Sequence, residues 1–182
     1  MKKKITFLLL LFLMLSSQKG FSQEIAFRTS ATMWATATPN IEVSVPVNKK
    51  WTVHLPVLYN PWVWKENSRF QQLTVMPGVR WWKQLANVHY FLSAYAIASR
   101  FHVGGWFNHK YRYDGKAFGV GIGGGYSFVL NRHWNIEAEL GFGCIYADYD
   151  KCGWTKDSHL YDKCRHLKIV PTKVDVSFVY FY

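Results

Sequence analysis

The segment Trp134-Asn135-Ile136-Glu137-Ala138-Glu139-Leu140-Gly141-Phe142 decides the fold. Apolar side chains occupy every second position from Trp134 to Phe142, and Asn135, Glu137, Glu139 and Gly141 fill the gaps. Successive side chains of a strand point to opposite faces, so this is a strand with one apolar face and one face carrying two carboxylates.

Outward from that segment the same period recurs. One face collects Ile41, Val43, Val45 and Val47; Trp51, Val53, Leu55, Val57 and Tyr59; Leu73, Val75, Val79 and Trp81; Val120, Ile122, Tyr126 and Phe128; and Val174, Val176, Phe178, Tyr180 and Tyr182. No heptad and no convincing amphipathic helix follows Glu24. The expectation is all-β, with eight strands over 25–34, 41–47, 51–59, 73–82, 88–101, 118–130, 134–148 and 167–182.

The connections sort by length. Residues 48–50, 83–87 and 131–133 are short turns, whereas 60–72, 102–117 and 149–166 are long; only 35–40 is short on the long-loop side. Short turns at one end and long loops at the other, with an even strand count, fit an eight-stranded antiparallel transmembrane β-barrel with both termini at the periplasmic end.

In such a barrel the opposite face turns inward. It carries Glu42, His54, Arg80, Glu137, Glu139, Lys173 and Asp175, and the same parity can take in Arg28 and Arg100. An eight-stranded barrel is narrow enough for side chains to fill it, giving a packed polar interior. Arg28, Arg80, Arg100 and Lys173 against Glu42, Glu137, Glu139 and Asp175 are four cations and four anions, expected to pair as an internal charge network, since buried charge is tolerated when compensated. A catalytic or conducting site is the alternative use of the same residues.

Aromatic placement separates a membrane barrel from a soluble one. Trp51, Trp81, Trp134 and Tyr182 fall at the short-turn ends, and Tyr59, Phe101, Phe118 and Tyr146 at the other, as two interfacial belts would. A lipocalin-like barrel that binds an apolar ligand inverts the pattern, with apolar residues inside.

The N-terminus reads as a targeting segment. Lys2, Lys3 and Lys4 precede an apolar run from Ile5 to Leu15, and small residues surround Phe21, so residues 1–22 are expected to be a cleaved secretory signal and 23–182 the barrel domain. The apolar run is well short of the roughly 20 residues that span a bilayer. No cysteine lies in the first half of the chain, so no lipid anchor is expected at the cleavage site. Cleavage leaves 18 Lys and Arg against 11 Asp and Glu, a net charge of +7. For an exported protein, that charge points to anionic outer-membrane lipid and lipopolysaccharide rather than to nucleic acid.

The final strand alternates to an aromatic last residue, Tyr182, and looks like the signal read by the outer-membrane assembly machinery. Joining it to the first strand would remove an apolar edge that is otherwise an aggregation hazard.

Several short stretches carry a family resemblance. They are Thr36-Ala37-Thr38-Pro39-Asn40-Ile41-Glu42, Asn48-Lys49-Lys50-Trp51-Thr52-Val53, His102-Val103-Gly104-Gly105, Gly121 to Phe128, Arg132 to Glu137, Gly141-Phe142-Gly143 and Pro171-Thr172-Lys173. Together they resemble a family of uncharacterised outer-membrane proteins of Bacteroidota, catalogued as a domain of unknown function. The resemblance implies a barrel at the cell outer membrane and, by association, a role accessory to fimbrial or adhesive surface proteins. Pro39-Asn40 also reads as an ordinary turn pair that needs no ligand. The glycines at 119, 121 and 123–125 lack the Gly-Lys-Ser and following helix of a phosphate loop, and are expected instead to let bulky neighbours pack closely.

Little catalytic chemistry is apparent. Cys152 and Cys164 could staple the last long loop, a closure worth on the order of 3 kcal/mol, with Cys144 left as a small apolar residue. A zinc site built from Cys152, His159, Cys164 and His166 matches no familiar spacing, so no metal and no cofactor are expected. A lipid-modifying enzyme would need Ser, His and carboxylate to converge, and His89 with Ser93, or Ser158 with His159, supply only the residue types. The loop aromatics Trp62, Trp64, Trp106, Tyr111, Tyr113 and Trp154, interleaved with Lys and Arg, suit contact with glycans, lipid head groups or a surface protein.

Overall fold

The computed structural model describes residues 25–63, 69–104, 111–153 and 160–182, with side chains over 25–63, 70–104, 113–150 and 165–182. The signal segment assigned to residues 1–22 lies outside the described residues. The chain runs through β1 (Ala26–Ser30), α1 (Ala31–Ala35), β2 (Asn40–Asn48), β3 (Trp51–Val63), β4 (Arg69–Val75), β5 (Gly78–Trp82), β6 (His89–Gly104), β7 (Tyr111–Val129), β8 (Trp134–Gly153) and β9 (Leu160–Phe181).

Apart from β4 and β5, which do not pair with each other, sequence-adjacent strands pair antiparallel, and β1 pairs with β9, so the sheet closes on itself. β4 and β5 occupy one position between β3 and β6, which makes eight staves. The interruption falls at Met76-Pro77, where Pro77 has no amide hydrogen for a ladder bond. Met76 N still donates to Pro56 O at 3.0 Å and Ala96 N to Pro77 O at 2.9 Å, which keeps the two halves in line.

The first expected strand is shorter than its pattern. Residues 31–35 turn as α1, capped by Ser30 Oγ, which accepts from Met33 N at 3.1 Å. Asn40 then draws the chain back, its Oδ1 accepting from Ser30 N at 2.7 Å and its Nδ2 donating to Thr38 O at 3.1 Å. The Ala-Thr-Pro-Asn element is therefore a structural return, as the turn reading expected.

The long connections are mostly strand. β3, β6, β7, β8 and β9 run on to residues 63, 104, 111, 153 and 160, so the three expected loops are largely paired hairpin. Charges hid this ladder from a hydrophobic reading. His102 faces Asp114, Lys116 faces Asp148, and Asp148 faces Arg165 across adjacent strands, so unlike charges support pairing where apolar alternation stops.

β9 contains one extra residue. Gly141 pairs with Lys173 and Phe142 with Pro171, leaving Thr172 as a bulge. Beyond the bulge the parity flips, which places Leu167 and Ile169 on the outside at 68% and 81% exposure.

The two faces are sorted oppositely to a soluble protein. Outward residues on β2 to β9 are the apolar ones expected, among them Ile41, Leu55, Leu73, Ile122, Phe142 and Val174, all exposed. The buried residues include Arg28, Glu42, His54, Arg80, Glu137, Glu139 and Lys173.

Candidate functional site

The inward parity of β1, β2, β5, β8 and β9 gathers six charges in the barrel. Arg28 Nη1 lies 3.1 Å from Glu42 Oε1, and Arg28 Nη2 donates to Glu137 Oε2. Arg80 bridges two walls, Nη1 donating to Glu42 Oε1 at 2.6 Å and Nη2 to Glu139 Oε2 at 3.0 Å. Lys173 Nζ sits 3.1 and 3.2 Å from the two Glu139 oxygens, and Ser93 Oγ donates to Glu139 Oε1 at 2.6 Å. Three cations thus meet three carboxylates, and the cluster is neutral, which is the condition for holding charge out of water.

Two expected members behave differently. Arg100 is outside the barrel: Phe91, Ser93, Tyr95 and Ile97 of β6 are buried, whereas the even-numbered positions from 90 to 100, Arg100 included, are exposed. Asp175 does face inward, but it accepts from Ser30 Oγ and Ser177 Oγ and has no ion pair among the described residues. Phe101, expected in the outer belt, also has the inward parity of β6 and lies 6.5 Å from the Tyr149 ring.

Below the charges, the turn end is plugged. Trp82 is fully buried, donates from Nε1 to Thr52 Oγ1 at 3.0 Å, and packs 4.7 Å from the Phe91 ring. Ser127 Oγ and Asn135 Nδ2 both donate to Asn87 O, which pulls the 83–87 turn inward. Above the charges, Tyr95 crosses the lumen to Thr172, its hydroxyl 2.6 Å from Thr172 Oγ1, with Lys173 Nζ 4.9 Å above its ring. A Cβ added at Gly121 would lie 2.5 Å from the Tyr95 ring, so the glycines of β7 make room for bulky neighbours as expected.

Sequence reasoning missed Trp82, Tyr95 and Asn87. Trp82 and Tyr95 are apolar-looking residues on the polar face, a position that parity alone identifies. His54 is also buried, and its ring nitrogens have no partner among the described residues.

Among the described residues, a cavity of about 60 Å³ lies inside beside Arg28, Met33, Glu42, Leu58, Lys173 and Asp175, room for a few water molecules. The dry apolar interior of a ligand-carrying barrel is not what these residues form.

The His89–Ser93 pair, weighed above as supplying only the residue types of an enzyme site, is not assembled. His89 Nδ1 contacts Tyr126 OH at 2.8 Å, whereas Ser93 is committed to Glu139. Ser158 and His159 lie outside the described residues. The ladder sets Cys164 opposite Tyr149 and Cys152 opposite Leu160, so the two cysteines expected to bond are offset along the hairpin rather than opposed; their side chains lie outside the described residues. Cys144 is a free thiol with the outward parity of β8, as expected. Among the loop aromatics, Trp62 donates to Ala37 O at 2.5 Å and Tyr113 packs edge-on against Tyr149 at 5.9 Å. Trp64, Trp106, Trp154 and the Tyr111 side chain lie outside the described residues.

On the outer face, aromatic residues collect near the turn end. Tyr90 meets Tyr126 edge-on at 4.7 Å, Tyr126 lies 4.5 Å from Phe128, and Trp134 lies 5.0 Å from Tyr180. At the other end Tyr59, Phe118 and Tyr146 are exposed.

Comparison with protein families matches one family model, described as Protein of unknown function (DUF3575), over residues 5–182. Comparison with curated proteins and with solved structures gives no match.

Proposed function

We propose, starting from the fact that the chain belongs to the DUF3575 family of proteins of unknown function, that it is a barrel of the cell outer membrane with a structural or surface-interaction role. The observation that carries this reading is the inverted sorting of its faces. On β7 the outward residues from Phe118 to Phe128 include no charge, and that span rises about 25 Å at a strand tilt near 40°, close to the height of the apolar band of such barrels. Aromatic residues at both ends of the band supply the interfacial belts.

A lumen packed with side chains around a charge-balanced cluster supports a non-conducting barrel. Commitment of His89 and Ser93 to different partners supports a non-catalytic one. The long β6–β7 and β8–β9 hairpins would project past the band and are the parts a fimbrial or other surface protein could reach. Cells expressing the full chain should yield it in the outer-membrane fraction, with faster migration in unboiled than in boiled samples. A soluble periplasmic product would reject the reading.

A further inference from the structure

The outer face of the long hairpins carries a row of charges set directly above the apolar band. The register aligns Arg100, Lys116, Asp148 and Arg165 across β6 to β9, and the next outward row toward the turn end is Ala98, Phe118, Tyr146 and Leu167. Asp148 is used by Arg165, whose Nε lies 3.3 Å from its Oδ2, and Asp114 by His102 at 2.8 Å. Arg100 and Lys116 face each other, both exposed, and neither has an ion pair among the described residues. Lys116 is also opposite Asp148, but that carboxylate is taken by Arg165, and like charges directly opposite each other, as Arg100 and Lys116 are, destabilise a sheet unless something neutralises them. The two cations open onto a groove of about 420 Å³, which Asp114, Asp148 and Asp150 also line and whose lower side is Phe118 and Tyr146.

We propose that this groove binds the phosphorylated sugar head group of an acylated glycolipid. The inference rests on the membrane reading above. Arg100 and Lys116 hold one phosphate between them through charge-assisted hydrogen bonds. The carboxylates of Asp114, Asp148 and Asp150 accept hydrogen bonds from sugar hydroxyls, which favours a glycolipid over a simple phospholipid. Phe118, Tyr146 and Leu167 then receive the acyl chains, one row of residues below the phosphate. Aromatic rings beneath a sugar ring add contact area without adding charge.

The test uses the barrel purified in detergent, with its folded state confirmed by heat-modifiable migration. Diphosphoryl lipid A, its dephosphorylated form, phosphatidylglycerol and inorganic phosphate are each titrated and bound ligand read by native mass spectrometry. Diphosphoryl lipid A should bind one to one. Removing its phosphates, or replacing both cations in R100Q/K116Q, should each weaken binding about tenfold, the loss expected for a charge-assisted contact. Undiminished binding to the double variant overturns the proposal. So does equal binding of phosphatidylglycerol, or saturation of the same residues by inorganic phosphate alone. If the double variant loses heat-modifiable migration, R100Q by itself carries the test. Failure of the membrane reading is distinguishable, because it appears as a soluble wild-type protein.

Discussion

Arg80 and Glu139 join opposite walls of the barrel, Arg80 Nη2 reaching from β5 to Glu139 Oε2 on β8 at 3.0 Å although neither strand borders the other. Each is shared: Arg80 also holds Glu42, and Glu139 also takes Lys173 and Ser93. The centre of the lumen is therefore cross-braced by charge, with apolar packing such as Trp82 on Phe91 toward the turn end.

Removing one member should leave the others unpaired and buried. Glu139→Ala should lower unfolding stability by about 3 to 5 kcal/mol, read from urea titrations in detergent or lipid. The pair R80M/E139Q keeps the cluster neutral and should cost less than either single change; a larger cost would mean that the ion pair itself, and not its charge balance, stabilises the barrel.

Gly121 is constrained by what crosses it. The Tyr95 ring is pinned by Thr172, and Gly141 leaves no room behind, since a Cβ there would meet the Tyr95 hydroxyl at 2.3 Å. Gly121→Val should therefore destabilise by about 1 to 3 kcal/mol through overpacking. Adding Tyr95→Ala should recover part of that loss, and no recovery would show that the clash lies with the backbone.

Parity made most of this legible from sequence. Alternation placed Glu42, Arg80, Glu137, Glu139 and Lys173 inside because a strand has only two faces. It failed where the ladder changes step or where its inward residues are not polar: the Thr172 bulge moves Leu167 and Ile169 outside, and the run Phe91, Ser93, Tyr95, Ile97 put Arg100 on the wrong side of the wall. The upper halves of β6 to β9 were invisible because their pairing depends on charges opposite one another, which only the register reveals.

Trp81 and Trp82 are neighbours in sequence and opposites in space. Trp81 points outward and Trp82 is fully buried in the lumen. In chains that keep one of them and carry Phe at the other eight tryptophan positions, lipids brominated on the acyl chain should quench Trp81 and spare Trp82. Equal quenching would contradict the assigned faces.

Cys144 lies in the outward row of Val120 and Ile169, within the apolar band. With Cys152 and Cys164 replaced by Ser and the protein in liposomes, a lipid-soluble maleimide should label it and a charged, membrane-impermeant one should not. Rapid labelling by the charged reagent would place this position in water.

Arg28 and Glu137 are separated by 109 residues, and Arg28 belongs to the first stave while Glu137 and Lys173 belong to the last two. Until those ends meet, each of these charges must keep its own water, and in the outer-membrane reading proposed above a half-built wall cannot shed that water into lipid. Closure of the ring and dehydration of its centre are thus one event, so a chain that has inserted without joining its ends should stay a hydrated, detachable intermediate. The cluster works as a latch that only a completed circle can fasten.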